Sequence, residues 1–213
     1  MPASPTSAPS RATAPSPARA PRRRKRGSET HAALLQVAAR SLREKGPERV
    51  GVLEIMREAG LTHGGFYAHF ASKEALIGEA IDAMFADSRA RFDARHGDKA
   101  GKAWLDARVD SYVSASHRDD AGNGCPITAL GGEMRHLGPE ARIAFDAGVE
   151  NLLARLTRHC GGDAAAAQAM LAQMAGAIML ARAVNDPALS DAILQNGKAA
   201  LHRQIAALDA AAS

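Results

Sequence analysis

Aromatic residues make up only 4% of this 213-residue chain and β-branched runs are scarce, whereas Ala and Leu recur throughout. Sheets draw on β-branched and aromatic side chains for their pleated faces, so the shortage argues against a β-rich fold. Ala and Leu are among the best helix formers, and an all-α fold is the expectation. Only two cysteines occur, Cys125 and Cys160. They supply no disulfide framework and suit a reducing cytoplasm. No uninterrupted apolar run reaches the roughly 18 residues of a membrane span, and no apolar core of a secretory leader follows Met1. The sequence therefore gives no sign of a membrane partner.

Acidic residues are missing from residues 1–27, which carry Arg11, Arg19, Arg22, Arg23, Arg24, Lys25 and Arg26. The formal charge of the whole chain is +4, so these seven cations leave the remainder at −3. Residues 1–21 are rich in Pro, Ala and Ser and lack the apolar content to build a core. Residues 1–27 are thus expected to be a disordered basic arm. Arg22, Arg23 and Arg24 stand beside the first helix, where guanidinium groups can meet phosphates or a minor groove.

Apolar spacing then predicts about nine helices. Ser28 can cap the first, with Leu34, Val37, Ala38 and Leu42 on one stripe up to Gly46-Pro47. A short second helix carries Val52, Ile55, Met56 and Ala59 and ends at Gly60. A third covers about Thr62–Phe70, and a long fourth runs from Ser72 to about Arg95. Further helices are expected over 101–117, 126–136, from Pro139 to Gly161, 163–184 and from Pro187 to about Leu208, with 117–124 a polar loop. This pattern divides the chain into the arm, a head over 28–75 and a ligand-binding and dimerisation domain over 76–213.

The segment Gly60–Leu76, GLTHGGFYAHFASKEAL, is the most specific stretch. Gly60 suits the end of one helix and Thr62 the N-cap of the next. Phe66 and Phe70, spaced i,i+4, face one core. Ser72 caps the following helix and Lys73 stands in its first turn, where a cation opposes the helix dipole unless a phosphate offsets it. Two short helices joined by a glycine turn, within residues 51–70, describe a helix-turn-helix, whose second helix enters the DNA major groove. Candidate DNA contacts are Thr62, His63, Gly64, Gly65, Tyr67, His69 and Lys73. His63 sits where a side chain can read a base edge, and the two glycines let the backbone approach DNA closely.

Together with VLEIMREA over 52–59, this string resembles the signature of the tetracycline-repressor (TetR) family of bacterial regulators, chiefly repressors. The resemblance implies that Tyr67 and His69 contact the DNA backbone. It also implies that two long C-terminal helices from each subunit form a four-helix dimer bundle. Two positions depart from the family pattern. Gly51 stands where Thr or Ser commonly caps the second helix, and Met56 where a small Ala is frequent. GCPITALGGE over 124–133 is similar to a motif in a subset of the family, some of whose members sense electrophiles through cysteine.

Cys125 precedes Pro126 at a helix start, where unpaired N–H groups favour thiolate, which makes it a candidate redox or electrophile sensor. The helix over 163–184 is apolar on most sides and needs burial by its own domain and by a second copy, so a homodimer on a pseudo-palindromic duplex operator is expected. Gly176 and Gly197 would permit close approach there. Trp104, Tyr112, Met134, Met170 and Met174 are candidate lining for a small-molecule effector. No nucleophile–base pair or phosphate loop is recognisable. His63 and His69 are six apart and share no ligand face. Neither an enzyme, a cofactor nor a metal is therefore expected. The competing reading is a helical ligand-binding or adaptor protein whose head no longer regulates transcription.

Overall fold

The computed structural model describes residues 21–208, with backbone alone at 21–26 and at His63. The expected disorder of residues 1–20 and the side chains of Arg22, Arg23 and Arg24 lie outside the described residues. Those described are all-α: α1 (Pro21–Lys45), α2 (Val52–Glu58), α3 (Lys73–His96), α4 (Gly101–Tyr112), α5 (Ala115–Asp119), α6 (Pro126–Leu130), α7 (Pro139–His159), α8 (Ala164–Ala183) and α9 (Pro187–Ala207). Three 3-10 helices cover His63–Ala68, Ala121–Asn123 and Met134–His136.

Several boundaries differ from the sequence expectation. α1 begins at Pro21 rather than Ser28, so residues 21–27 belong to a helix and not to a free arm. Pro is preset for the first helical turn, and the Arg and Lys residues after it are good helix formers. The stretch 126–136 is not one helix. α6 ends at Leu130 before Gly131-Gly132, and a separate 3-10 turn follows. The helix expected over 101–117 stops at Tyr112, and a separate short α5, its Ser114 N-cap accepting from the His117 N–H, runs into the expected loop 117–124. The Ser72, Asp163 and Asp186 side chains cap α3, α8 and α9 as their sequence positions imply.

Two apolar cores result. The upper gathers Leu34, Ala38, Leu42, Ile55, Met56, Phe66, Phe70, Ile77 and Met84, and continues into Leu130, Met134 and Ala144. Residue 75 is therefore no packing boundary, because α3 carries the upper core onto α7. The lower core holds Phe92, Trp104, Leu105, Val109, Leu156, Met170, Met174, Ile178 and Leu201. α8 and α9, joined by three residues, pack as an antiparallel pair along it, with Ser190 Oγ donating to the Ala181 carbonyl at 2.7 Å. By length and a mean hydropathy of 1.5, α8 could cross a membrane. A count of uninterrupted runs misses this because Gln168 and Gln173 break the run. In the fold its Met170, Met174 and Ile178 are buried in the lower core.

α3 and α7 approach closely at Gly148. A Cβ placed there would stand 2.1 Å from Phe85 Cδ2. Gly148→Ala should therefore push the half-buried Phe85 ring aside at a cost of about 1 kcal/mol, the low end for overpacking because the ring borders open space. Urea unfolding measures this, and an unchanged midpoint would show that the crossing is looser than described.

Candidate nucleic-acid interface and adjoining cavity

The head is ordered by its helix ends. Gly60 takes φ +72°, a conformation that costs glycine little, and Leu61 N–H donates to the Met56 carbonyl at 2.8 Å. This turns the chain into the 3-10 helix His63–Ala68, shorter than the expected Thr62–Phe70 because two consecutive glycines weaken an α-helix. Thr62 occupies the N-cap position, but its hydroxyl caps no N–H. Phe66 and Phe70 are buried with ring centroids 5.6 Å apart, which anchors one side of the element. The other side is open. Tyr67 is 73% exposed, and a Cβ at Gly64 would meet nothing within 4 Å. Thr62 and Ala68 are also exposed.

His69 is half-buried beside His31 and Phe70 rather than turned fully outward. His31 was not singled out in the sequence. Its ring stacks on Phe70 at 4.6 Å and its Nε2 lies 2.8 Å from a Glu79 carboxylate oxygen, so it ties α1 to the reading element and to α3. A link spanning 48 residues leaves no local signal. Gly65 is close to Met56 Cε, 3.6 Å from a built Cβ, so Met56 fills the crossing that the family pattern reserves for a smaller residue. Gly51 is the exposed N-cap of α2 and makes no side-chain cap. Lys73 opens α3 at the edge of this face, and among the described residues no carboxylate pairs with it.

Below the head, α3, α4, α7 and Cys125 enclose a cavity of about 210 Å³. Of the expected lining residues only Tyr112 reaches it, joined by Phe85, Arg108, Leu152 and Arg155. Trp104, Met170 and Met174 are lower-core residues instead, and Met134 belongs to the upper core. Trp104 stacks on His159 with centroids 4.2 Å apart, which uses the face a ligand would need. Arg108 gave a signal that helix spacing could have revealed. It lies on α4 between Trp104 and Tyr112 at i,i+4 intervals, so a cation falls on the buried stripe.

Cys125 borders the cavity but is buried, and burial pushes its thiol above the ordinary value despite helping contacts from Tyr112, Ile127 and Thr128. Burial thus works against the activated thiolate expected from the sequence. α6 has only five residues, too few for a strong dipole, and desolvation outweighs it. Cys160 is also buried, with its Sγ 3.8 Å from Met170 Sδ.

The segment carrying Cys125 is coupled to α1. Arg43, buried on α1, donates to the carbonyls of Gly122 at 3.4 Å and Met84 at 3.3 Å. Arg182 on α8 donates to the carbonyls of Arg118 at 3.0 Å and His117 at 2.5 Å and to Thr128 Oγ1 at 3.2 Å. The cavity wall is therefore wired both to the head and to the α8–α9 pair.

A glycine-turned reading element on a three-helix head, carried by a long helix into an all-helical body with its own cavity, defines a helix-turn-helix regulator. The family model described as bacterial regulatory proteins, tetR family, matches residues 34–80. The transcriptional regulator AcuR of Cereibacter sphaeroides is 35% identical over 144 residues, covering 62% of this chain and 64% of that protein. The uncharacterised HTH-type regulator YvdT of Bacillus subtilis is 30% identical over 98 residues, 45% of this chain and 50% of YvdT, so this match spans half the relative's length. A TetR transcriptional regulator from Chloroflexus aurantiacus superposes with a TM-score of 0.71 at 25% identity, covering 85% of this chain and 96% of that one. Residues 34–80 therefore carry a TetR-family DNA-binding domain, and the described residues as a whole have the fold of TetR-family transcriptional regulators.

Proposed function

We propose that the protein is a homodimeric, sequence-specific DNA-binding regulator, a repressor released by a small hydrophobic or electrophilic effector. The open face around Gly64 and Tyr67, backed by the buried Phe66–Phe70 pair, carries this reading. Thr62, His63, Gly64, Gly65 and Tyr67 meet the major groove and adjacent backbone. Lys73, His69 and the basic residues Arg22, Arg23 and Arg24 serve phosphates. A second copy packs on α8 and α9, and the pair reads a pseudo-palindromic operator. A Cβ at Gly176 would meet nothing within 4 Å, which leaves room for a second copy there, whereas Gly197 serves the approach of α9 to Ala177 of its own chain at 3.2 Å.

The effector enters the cavity below the head. Its occupancy moves the Gly122–Cys125 segment, and Arg43 carries the movement to α1. Cys125 lines the same space, within reach of an electrophilic occupant.

Operator binding by gel shift tests the reading. Lys73→Gln should weaken binding across sequences and lower the salt slope by about 1, whereas His63→Ala should change sequence preference more than salt dependence. Wild-type binding by both variants would remove the reading face from this element. Failure of the wild type to shift its own upstream region would favour an adaptor whose head no longer reads DNA.

A further inference from the structure

Arg108 is 94% withdrawn from solvent (6% exposed), yet among the described residues its guanidinium makes no hydrogen bond or ion pair, and its Nε is buried without a partner. It lies over the Phe92 ring at 3.7 Å and 5.3 Å from Trp104, contacts that hold a cation in place without neutralising it. Burial lowers its pKa to about 10, with the nearby Arg155 adding to the effect, so it remains charged at neutral pH. Arg155 cannot pass it a carboxylate, because Asp93 is already paired with Arg155.

Tyr112, one helical turn further along α4, is 4% exposed, and its buried hydroxyl has the weakly hydrogen-bonding Cys125 thiol beside it but no oxygen or nitrogen partner. Both residues line the cavity of about 210 Å³, and Arg108, Arg155 and Arg89 outnumber its single lining carboxylate, the exposed Asp82. Unsatisfied buried donors are costly, and a buried charge is normally paired. Water can satisfy the hydroxyl but does not neutralise the guanidinium. The remaining wall, Phe85, Ala86, Gly148 and Leu152, is apolar or small.

We infer that the cavity takes a small organic anion, a monocarboxylate with a short apolar body, whose carboxylate accepts from Arg108 and from the Tyr112 hydroxyl. The body rests against Phe85 and Leu152. This deepens the effector reading and depends on it only for the consequence at the operator. Binding itself needs no DNA.

Isothermal calorimetry on the full chain without DNA tests it, using hexanoate and benzoate against the uncharged 1-hexanol and benzyl alcohol. The acids should bind at least about 10-fold tighter than the matching alcohols, the range of a charge-assisted hydrogen bond. Arg108→Met should abolish that preference, and Tyr112→Phe should weaken the acids while retaining it. Arg108→Met removes an unpaired buried charge and should fold, which a thermal melt verifies. Equal binding of acids and alcohols, no binding of either acid, or acid binding unchanged in Arg108→Met overturns the assignment. None of these outcomes touches the DNA-binding reading, which Lys73→Gln tests separately.

Discussion

Leu180→Glu should leave a folded monomer at micromolar concentration and lower operator affinity by about 100-fold or more, because a two-site dimer gains that factor from binding both half-sites at once. Leu180 is 58% exposed on α8 beside Met179 at 45%, and Leu189 at the start of α9 is 48% exposed. Among the described residues, Leu53 and Ile143 are the other large aliphatics as open as these, and they lie on α2 and α7. A contiguous apolar strip on two packed helices, flanked by the exposed Ala169, Ala172 and Ala183, is what a second copy can cover. Two-fold pairing repeats the substitution on both subunits, so two carboxylates would enter one apolar interface, each costing several kcal/mol if unpaired. In the lone protomer the side chain projects into water, so the thermal stability of the separated subunit should not suffer from lost core contacts. Sedimentation equilibrium decides. A dimer of wild-type affinity in Leu180→Glu would move the interface elsewhere.

The head was legible in the sequence because its determinants are local. Gly60, the Phe66–Phe70 spacing and the Ser72 cap each act within a turn or two, and all three are found as the sequence implies. The helix α8 was legible for the same reason, through Asp163 and its apolar run. The cavity was not. Met and Trp at helical spacing look alike whether they fill a core or line a pocket, and Trp104, Met134, Met170 and Met174 proved to be core. What distinguishes the cavity is the misplaced charge on α4 and the approach of Phe85 to Gly148, two residues that are 63 positions apart. Cys125 shows the limit of a single local rule. The helix start and the Tyr112 hydroxyl favour its thiolate, but burial in the lower core, which no local pattern reveals, decides the direction.

Acidification should weaken the fold through one imidazole. His117 Nδ1 lies 2.7 Å from the Tyr112 carbonyl and its Nε2 accepts the Cys125 N–H at 3.0 Å, so the neutral ring with the proton on Nδ1 bridges two cavity residues. Burial, with Arg182 and Arg108 adding to it and the Tyr112 carbonyl opposing, lowers its pKa to about 4 from an ordinary 6.5. Between those values the unfolded chain holds the proton and the native chain does not. Stability contributed by the neutral ring is therefore complete above about pH 6.5 and declines as pH falls, reaching a loss of about 3 kcal/mol near pH 4. At pH 5 about 2 kcal/mol should already be gone. His117→Gln keeps a polar side chain at the bridge but cannot titrate. Urea unfolding of both proteins at neutral pH and at about pH 5 should show the wild type losing about 2 kcal/mol more than the variant, with carboxylate titrations common to both cancelling. Parallel losses would mean that His117 is not held neutral. The expected divergence has a structural reason, since an imidazolium has no lone pair left for Cys125 N–H and the contact that fixes the start of α6 against the cavity is the one that protonation removes.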